Sequence, residues 1–198
     1  MTYVSPMGAY INTSNESVLS GIDSLISMLR DSVSAMQEYN SANGNFEEDN
    51  INRVVSNSGS AIVDTAMKYL GYNESNGSYL KFTNGDEIAW CAAFVTYVVK
   101  ETLGSDTPAG FGSNAVSGLR DWGNANGRYI SRSQWSQVKP GDIMIQKSNG
   151  ASHTGIVTKV DPDGTIHTIE GNTSNMVAER TYKPGSSGYN KISGFVLM

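Results

Sequence analysis

Apolar side chains recur along this chain with a helical period through its first two thirds and with a two-residue period near its end. Val18, Ile22, Leu25, Ile26, Leu29, Val33 and Met36 lay one narrow stripe along an amphipathic helix predicted over residues 15–39. Asn15 or Ser14 serves as its cap, with Glu16 in the first turn. A long helix with so narrow a stripe needs a partner: a second helix in this chain or another, or the face of the folded domain. Residues 40–58 are rich in Asn, Ser and Gly, which is linker composition, although Ile51, Val54 and Val55 allow a short helical turn. Ile62, Val63, Ala66, Met67 and Leu70 then restore a helical face over 59–72, with Ser60 as cap and Gly71 as stop. A polar loop, 73–86, leads to a helix in which Cys91, Phe94, Val95, Val98, Val99 and Leu103 share helical spacing. Asp86 and Glu87 stand where a helix start favours acids, and Gly104 where a helix stops. Asn114 to Trp122 reads as another short helix between glycine-rich loops.

After Pro140 the pattern becomes that of strands: Asp142–Gln146, His153–Val160, Thr165–Glu170, a weaker Val177–Tyr182, and Lys191–Leu197. Asp161-Pro-Asp-Gly164 is a hairpin turn. The expected class is α+β, with helices first and an antiparallel sheet after, the Cys91 helix lying against the sheet. Three parts follow: a lead-in and amphipathic helix at 1–39, a linker at 40–58, and a folded domain at 59–198.

Composition narrows the function. Fourteen basic against 19 acidic residues give a net charge of −5 with no Lys/Arg run, which argues against a nucleic-acid partner. One cysteine excludes an intrachain disulfide framework. No stretch approaches the roughly 18 consecutive apolar residues of a membrane span. The start Met-Thr-Tyr-Val-Ser-Pro has no basic or apolar region of a signal peptide, so the expectation is a cytosolic protein, one exported by a route not visible in the sequence, or one whose signal is not included in this sequence.

The candidate chemistry centres on Cys91. A thiol in the first turn of a helix faces unpaired backbone N–H groups that favour a thiolate; the plain alternative is a small core hydrophobe. A thiolate nucleophile needs a base, and a third group to hold that base. The chain has two histidines, His153 and His167. With Asp161 to Gly164 as a four-residue loop, His153 falls opposite Asn172 and Gly155 opposite Glu170, so Glu170 and Asn172 share the face of His153. His167 falls opposite Thr158, on the other face unless a bulge intervenes.

Ala89-Trp-Cys-Ala-Ala-Phe-Val95, Lys139-Pro-Gly-Asp-Ile143, Ser152-His-Thr-Gly-Ile-Val157 and Ile169-Glu-Gly-Asn-Thr173 resemble the four signature blocks of the CHAP family. These are cysteine- and histidine-dependent amidohydrolases and peptidases related to NlpC/P60 and papain-like enzymes. The resemblance covers about residues 60–198. It implies a papain-like CHAP fold and cleavage of peptidoglycan amide bonds, as an N-acetylmuramoyl-L-alanine amidase or a stem-peptide or cross-bridge endopeptidase. It makes Cys91 the nucleophile, His153 the base, Glu170 the group that orients it, and Asn172 a further polar member. Thr154 stands where the family usually has a small apolar residue. Some phage members bind calcium through an acidic loop before the cysteine; here that loop lacks alternating aspartates, so no metal and no cofactor is expected, and Asp161 and Asp163 are read as turn residues. Trp90 and Trp122 are candidates for lining a sugar-peptide groove, with Phe111 in a loop forming its wall; each tryptophan is equally well read as core.

The implied partner is peptidoglycan, met outside the cell or in the cell wall, with a helix-mediated partner or self-association through 15–39 as a further expectation. Two other functions stay open on the sequence: a catalytically silent wall-binding module, and a cysteine hydrolase of another amide.

Overall fold

The computed structural model describes residues 58–148 and 151–198. The helix expected at 15–39 and the linker up to residue 57 lie outside the described residues.

The described chain begins with helix α1 over residues 58–67, followed by the one-turn α2 (Leu80–Thr83), the cysteine helix α3 (Cys91–Leu103) and α4 (Val116–Ala125). Six strands follow: β1 (Tyr129–Ser131), β2 (Ile143–Ser148), β3 (Ala151–Val160), β4 (Ile166–Thr173), β5 (Met176–Tyr182) and β6 (Ile192–Val196), with a short helix α5 (Ser187–Lys191) before the last. They form one antiparallel sheet in the order β1-β6-β2-β3-β4-β5. This is the α+β architecture expected, with the helices packed on the sheet.

Both faces of the sheet are covered, and the sequence of β2 shows why it does not alternate. Ile143 and Ile145 point to the helices, where they meet Ile62, Ala66, Phe94, Val95, Val98 and Leu119. Met144 points the other way, into a second cluster with Val157, Ile166, Phe195 and Tyr189. That far face is closed by α5 and by a 3-10 segment (Arg132–Gln137) with a Ser131/Gln134 capping box. A strand buried on both faces reads as a continuous apolar run, as Ile-Met-Ile does. Phe94 is fully buried at the centre of the helix–sheet contact; truncating such a side chain costs about 3–5 kcal/mol.

Several local expectations are corrected. The helix at 59–72 ends at residue 67, and Leu70 is 44% exposed, not part of the buried face. Ser60 lies inside that helix, so it does not cap it. Asp86 and Glu87 precede α3 and supply no acid to its first turn. The 73–86 loop contains α2. Neither β1 nor α5 announces itself in the sequence: three residues and five residues are too short to establish a period.

The β3–β4 hairpin departs from simple pairing. Ile156↔Ile169 and Val157↔Thr168 keep the expected register, but a bulge at Thr158 shifts the pairs nearer the turn, so His167 lies opposite Lys159. The β4–β5 turn is built on Ser174 and Asn175, both with positive φ (56° and 60°), the backbone that a two-residue hairpin turn of the primed kind requires.

Candidate active site

Helix α3 begins at Cys91 because Trp90 ahead of it has non-helical backbone (φ −113°, ψ 13°). No side chain caps this end, so the N–H groups of the first turn are left for another partner. Trp90 fixes the helix start in space. Its indole is fully buried, stacks on Phe82 at 5.7 Å, and donates its Nε1–H to Glu74 Oε1 at 3.0 Å. Cys91 is 8% exposed, at the edge of the core that Trp90 leads into.

His153 sits near the start of β3 and Glu170 on the adjacent β4. Their side chains meet, with His153 Nε2 2.7 Å from Glu170 Oε2. The pairing at Ile156↔Ile169, continued outward, brings Gly155 beside Glu170, and a Cβ at Gly155 would stand 2.5 Å from Glu170 Cγ. Only glycine leaves the carboxylate room there. One residue on, Gly171 faces the helix, where a Cβ would meet Phe94 and Trp90; its absence lets α3 pack close to β4.

Glu170 has no exposed surface. A carboxylate so placed survives only if its oxygens are hydrogen-bonded. Oε1 accepts from Thr168 Oγ1 at 2.6 Å and from Tyr182 Oη at 2.7 Å, while Oε2 takes His153. Burial by itself would raise the Glu170 pKa; the bond to His153 and its charge, with the two hydroxyl donors, outweigh that and lower it. Tyr182 responds in the opposite sense: burial and the Glu170 charge push its phenol upward, so it stays a donor.

His153 feels the same competition. Burial pulls its pKa down, but the influence of the neighbouring Cys91 sulfur and of the bonded Glu170 carboxylate overrides it and raises the pKa to about 9. With Nε2 engaged by Glu170, Nδ1 is the ring atom left for the thiol. The raised pKa favours the charged imidazole at neutral pH, beside the buried Glu170 carboxylate.

The remaining candidates fall elsewhere. His167 is held at the turn end of the hairpin, with Nε2 2.7 Å from Asp161 Oδ2 and Nδ1 3.2 Å from Thr181 Oγ1, and makes no bond to His153. Asn172 occupies left-handed backbone (φ 56°) where the β4–β5 register breaks. Asparagine tolerates that conformation better than most residues, which gives this position a backbone role. Alternation along β4 no longer holds beyond that break, and no hydrogen bond joins Asn172 to His153.

Trp90 and Phe111 are corrected as groove residues: they are 0% and 4% exposed, and belong to the core. Trp122 is half-buried, packing edge-on against Phe111 at 5.0 Å and donating Nε1–H to Ala109 O. Among the described residues no three His, Cys, Asp or Glu side chains group as metal ligands.

Thr168 and Tyr182 were not singled out from the sequence. Thr168 had a readable signal, since it lies two residues before Glu170 and a strand places such residues on one face. Tyr182 had none, because its approach depends on the register of β5.

A thiol, an imidazole and a buried carboxylate in series are the groups on which cysteine-dependent amide hydrolases are built. Residues 83–172 match the family model of the CHAP domain, a family of peptidoglycan hydrolases. The match spans both Cys91 and Glu170. No curated protein matches the chain. Among solved structures it is similar to an N-acetylmuramoyl-L-alanine amidase from Staphylococcus aureus, at 16% identity and a TM-score of 0.37. That likeness covers 55% of this chain and 30% of the other, so this chain spans under a third of that protein.

Proposed function

We propose that this protein hydrolyses amide bonds of peptidoglycan, with Cys91 as nucleophile, His153 as proton carrier and Glu170 as the group that orients His153. The observation that carries the reading is the buried Glu170 carboxylate, held by Thr168 and Tyr182 and bonded to His153 at 2.7 Å, in the stretch that matches the CHAP family model. A buried carboxylate with two dedicated hydroxyl donors is a costly arrangement for stability alone.

In the proposed reaction the Cys91 sulfur attacks the amide carbonyl carbon. The tetrahedral oxyanion takes the Cys91 backbone N–H, left without a side-chain cap at the helix start. As the C–N bond breaks, His153 gives its proton to the departing amine, leaving a thioester on Cys91. His153, now neutral, removes a proton from water, the hydroxide equivalent attacks the thioester, and the acid product leaves with the thiolate restored. Glu170 stays ionised throughout, favouring the imidazolium that pairs with the thiolate. Asn172 is retained as a further polar member of the site on the family resemblance.

The scissile bond is that between N-acetylmuramic acid and L-alanine, or one within the stem peptide or cross-bridge. Such a substrate places the working protein in the cell wall or outside the cell. Among the described residues no helix is long and apolar enough to cross a membrane.

The test is digestion of purified peptidoglycan by the wild-type and Cys91→Ala proteins, with mass spectrometry of the fragments. Cleared wall with wild type only, and new N-terminal alanine or new internal peptide ends, is the expected result. An inert wild-type protein, or a Cys91→Ala protein that still cuts, would sink the reading.

A further inference from the structure

Beside His153 the structure has a cleft of about 240 Å3 between α4 and the strands β2, β3 and β6. Val116 and Arg120 of α4 form one wall, and Gln146, Lys147, Ser152 and Ser193 form the other. The cleft adjoins the site through two links: Ser152 immediately precedes His153, and Gln146 is the cross-strand partner of His153 in the β2–β3 pairing. With Val116 and Ile145 in its lining, the cleft lies on the helix side of the sheet, at the strand end that carries His153.

Its charge departs from that of the whole chain. The protein carries a net −5, yet the cleft presents one guanidinium and one ammonium, and none of its described lining residues is acidic. Hydroxyls of Ser117 and Ser152 add neutral polar groups, while the Gln146 amide and the Ser193 hydroxyl already donate to Gly188 O and Ile145 O. Arg120 is only partly engaged. Its Nε and Nη2 both bond to one oxygen of its neighbour Asp121, whose side chain is 63% exposed. An exposed pair of this kind is worth little and yields to a better-placed carboxylate. Guanidinium is the donor whose fork matches a carboxylate, and Lys147 adds a second positive charge.

We infer that this cleft is a carboxylate subsite: Arg120 and Lys147 hold a free carboxylate of the peptide whose amide bond lies over Cys91 and His153. The inference rests on the proposed peptidoglycan substrate and adds to it a choice among stem peptides. Stems with free carboxylates are held, and stems whose carboxylates are amidated lose the contact.

The test uses the full chain carrying Cys91→Ala, which keeps bound substrate intact, and calorimetric titration with two synthetic stem peptides. One has free carboxylates; the other is the same peptide with them amidated. The free acid is expected to bind about tenfold tighter or better, and the preference to weaken with added salt. Arg120→Gln together with Lys147→Gln in the same background should erase the preference while leaving the thermal midpoint unchanged. Equal affinity for the two peptides overturns the subsite and leaves the peptidoglycan reading standing. A preference that survives the double substitution overturns the assignment to these residues. If neither peptide binds, the subsite and the stem-peptide reading fall together.

Discussion

Glu170 Oε2 stands 2.7 Å from His153 Nε2, and the carboxylate behind that contact is closed to solvent. His167, the other imidazole of the chain, is bonded to Asp161 and Thr181 instead. Glu170→Gln keeps the shape and removes the charge, so turnover of a soluble muropeptide should fall by roughly a hundredfold or more, on the order of 2.7 kcal/mol in the barrier. His167→Gln should change it by less than about tenfold, under roughly 1.4 kcal/mol. If His167→Gln proves the more damaging, the carboxylate is not the orienting group.

The thiol offers a direct titration. Cys91→Ala and Cys91→Ser should both remove wall hydrolysis and leave the far-UV circular dichroism unchanged. Alkylation of the wild-type protein at neutral pH should eliminate activity in proportion to the label. Labelled protein that still turns over would show that Cys91 is only packed, as its place in the core permits.

The pH dependence follows from His153. Its pKa is raised to about 9, so the imidazolium that must protonate the leaving amine is lost as pH rises through that value. Activity should fall on the alkaline side with a midpoint near 9. The same raised pKa contributes stability that is fully present below the unfolded histidine value of about 6.5 and disappears as pH rises through the folded one. A rate profile that stays level to pH 10, with the fold intact, would contradict the assignment.

Tyr182 is placed to hold Glu170 in position. Tyr182→Phe removes one hydroxyl from a buried carboxylate, and a hydrogen bond to a charged group contributes about 1.5–3 kcal/mol. Because the Glu170 pKa is lowered, that contribution is present above the unfolded glutamate value of about 4.3 and is lost as pH falls through the folded one. Thermal melts should show a clear destabilisation at pH 7 that shrinks in acid. A difference that stays the same all the way down to the acid-unfolding limit would mean the hydroxyl acts by packing alone.

The candidate chemistry lies wholly after residue 58. A chain of residues 59–198 should fold and cleave a soluble muropeptide. Shortening to residue 70 should prevent folding, because it removes Ile62 and Ala66, 1% and 0% exposed in the core. Loss of a cooperative transition in the 59–198 chain would show that the stripe at 15–39 packs on this domain.

Local sequence was enough for everything that depends on neighbours along the chain. The change of period after Pro140, the helix that opens with Cys91, the hairpin turn at Asp161 and the parity that sets Glu170 on the face of His153 are all repeats or turn signals within a few residues. Burial of the groove candidates was not available there: Trp90 and Phe111 look the same in sequence whether they meet a ligand or the core, and only packing against Phe82 and Trp122 decided it. The bulge at Thr158 and the register break beyond Glu170 were equally invisible, since a strand's pairing is a property of two segments and not of one. Tyr182 reaches Glu170 from twelve residues away along the chain through such a pairing. The three candidate reactive groups could therefore be picked out by residue type and spacing, while the hydroxyl donors to the buried carboxylate were supplied by tertiary contacts that no local pattern encodes.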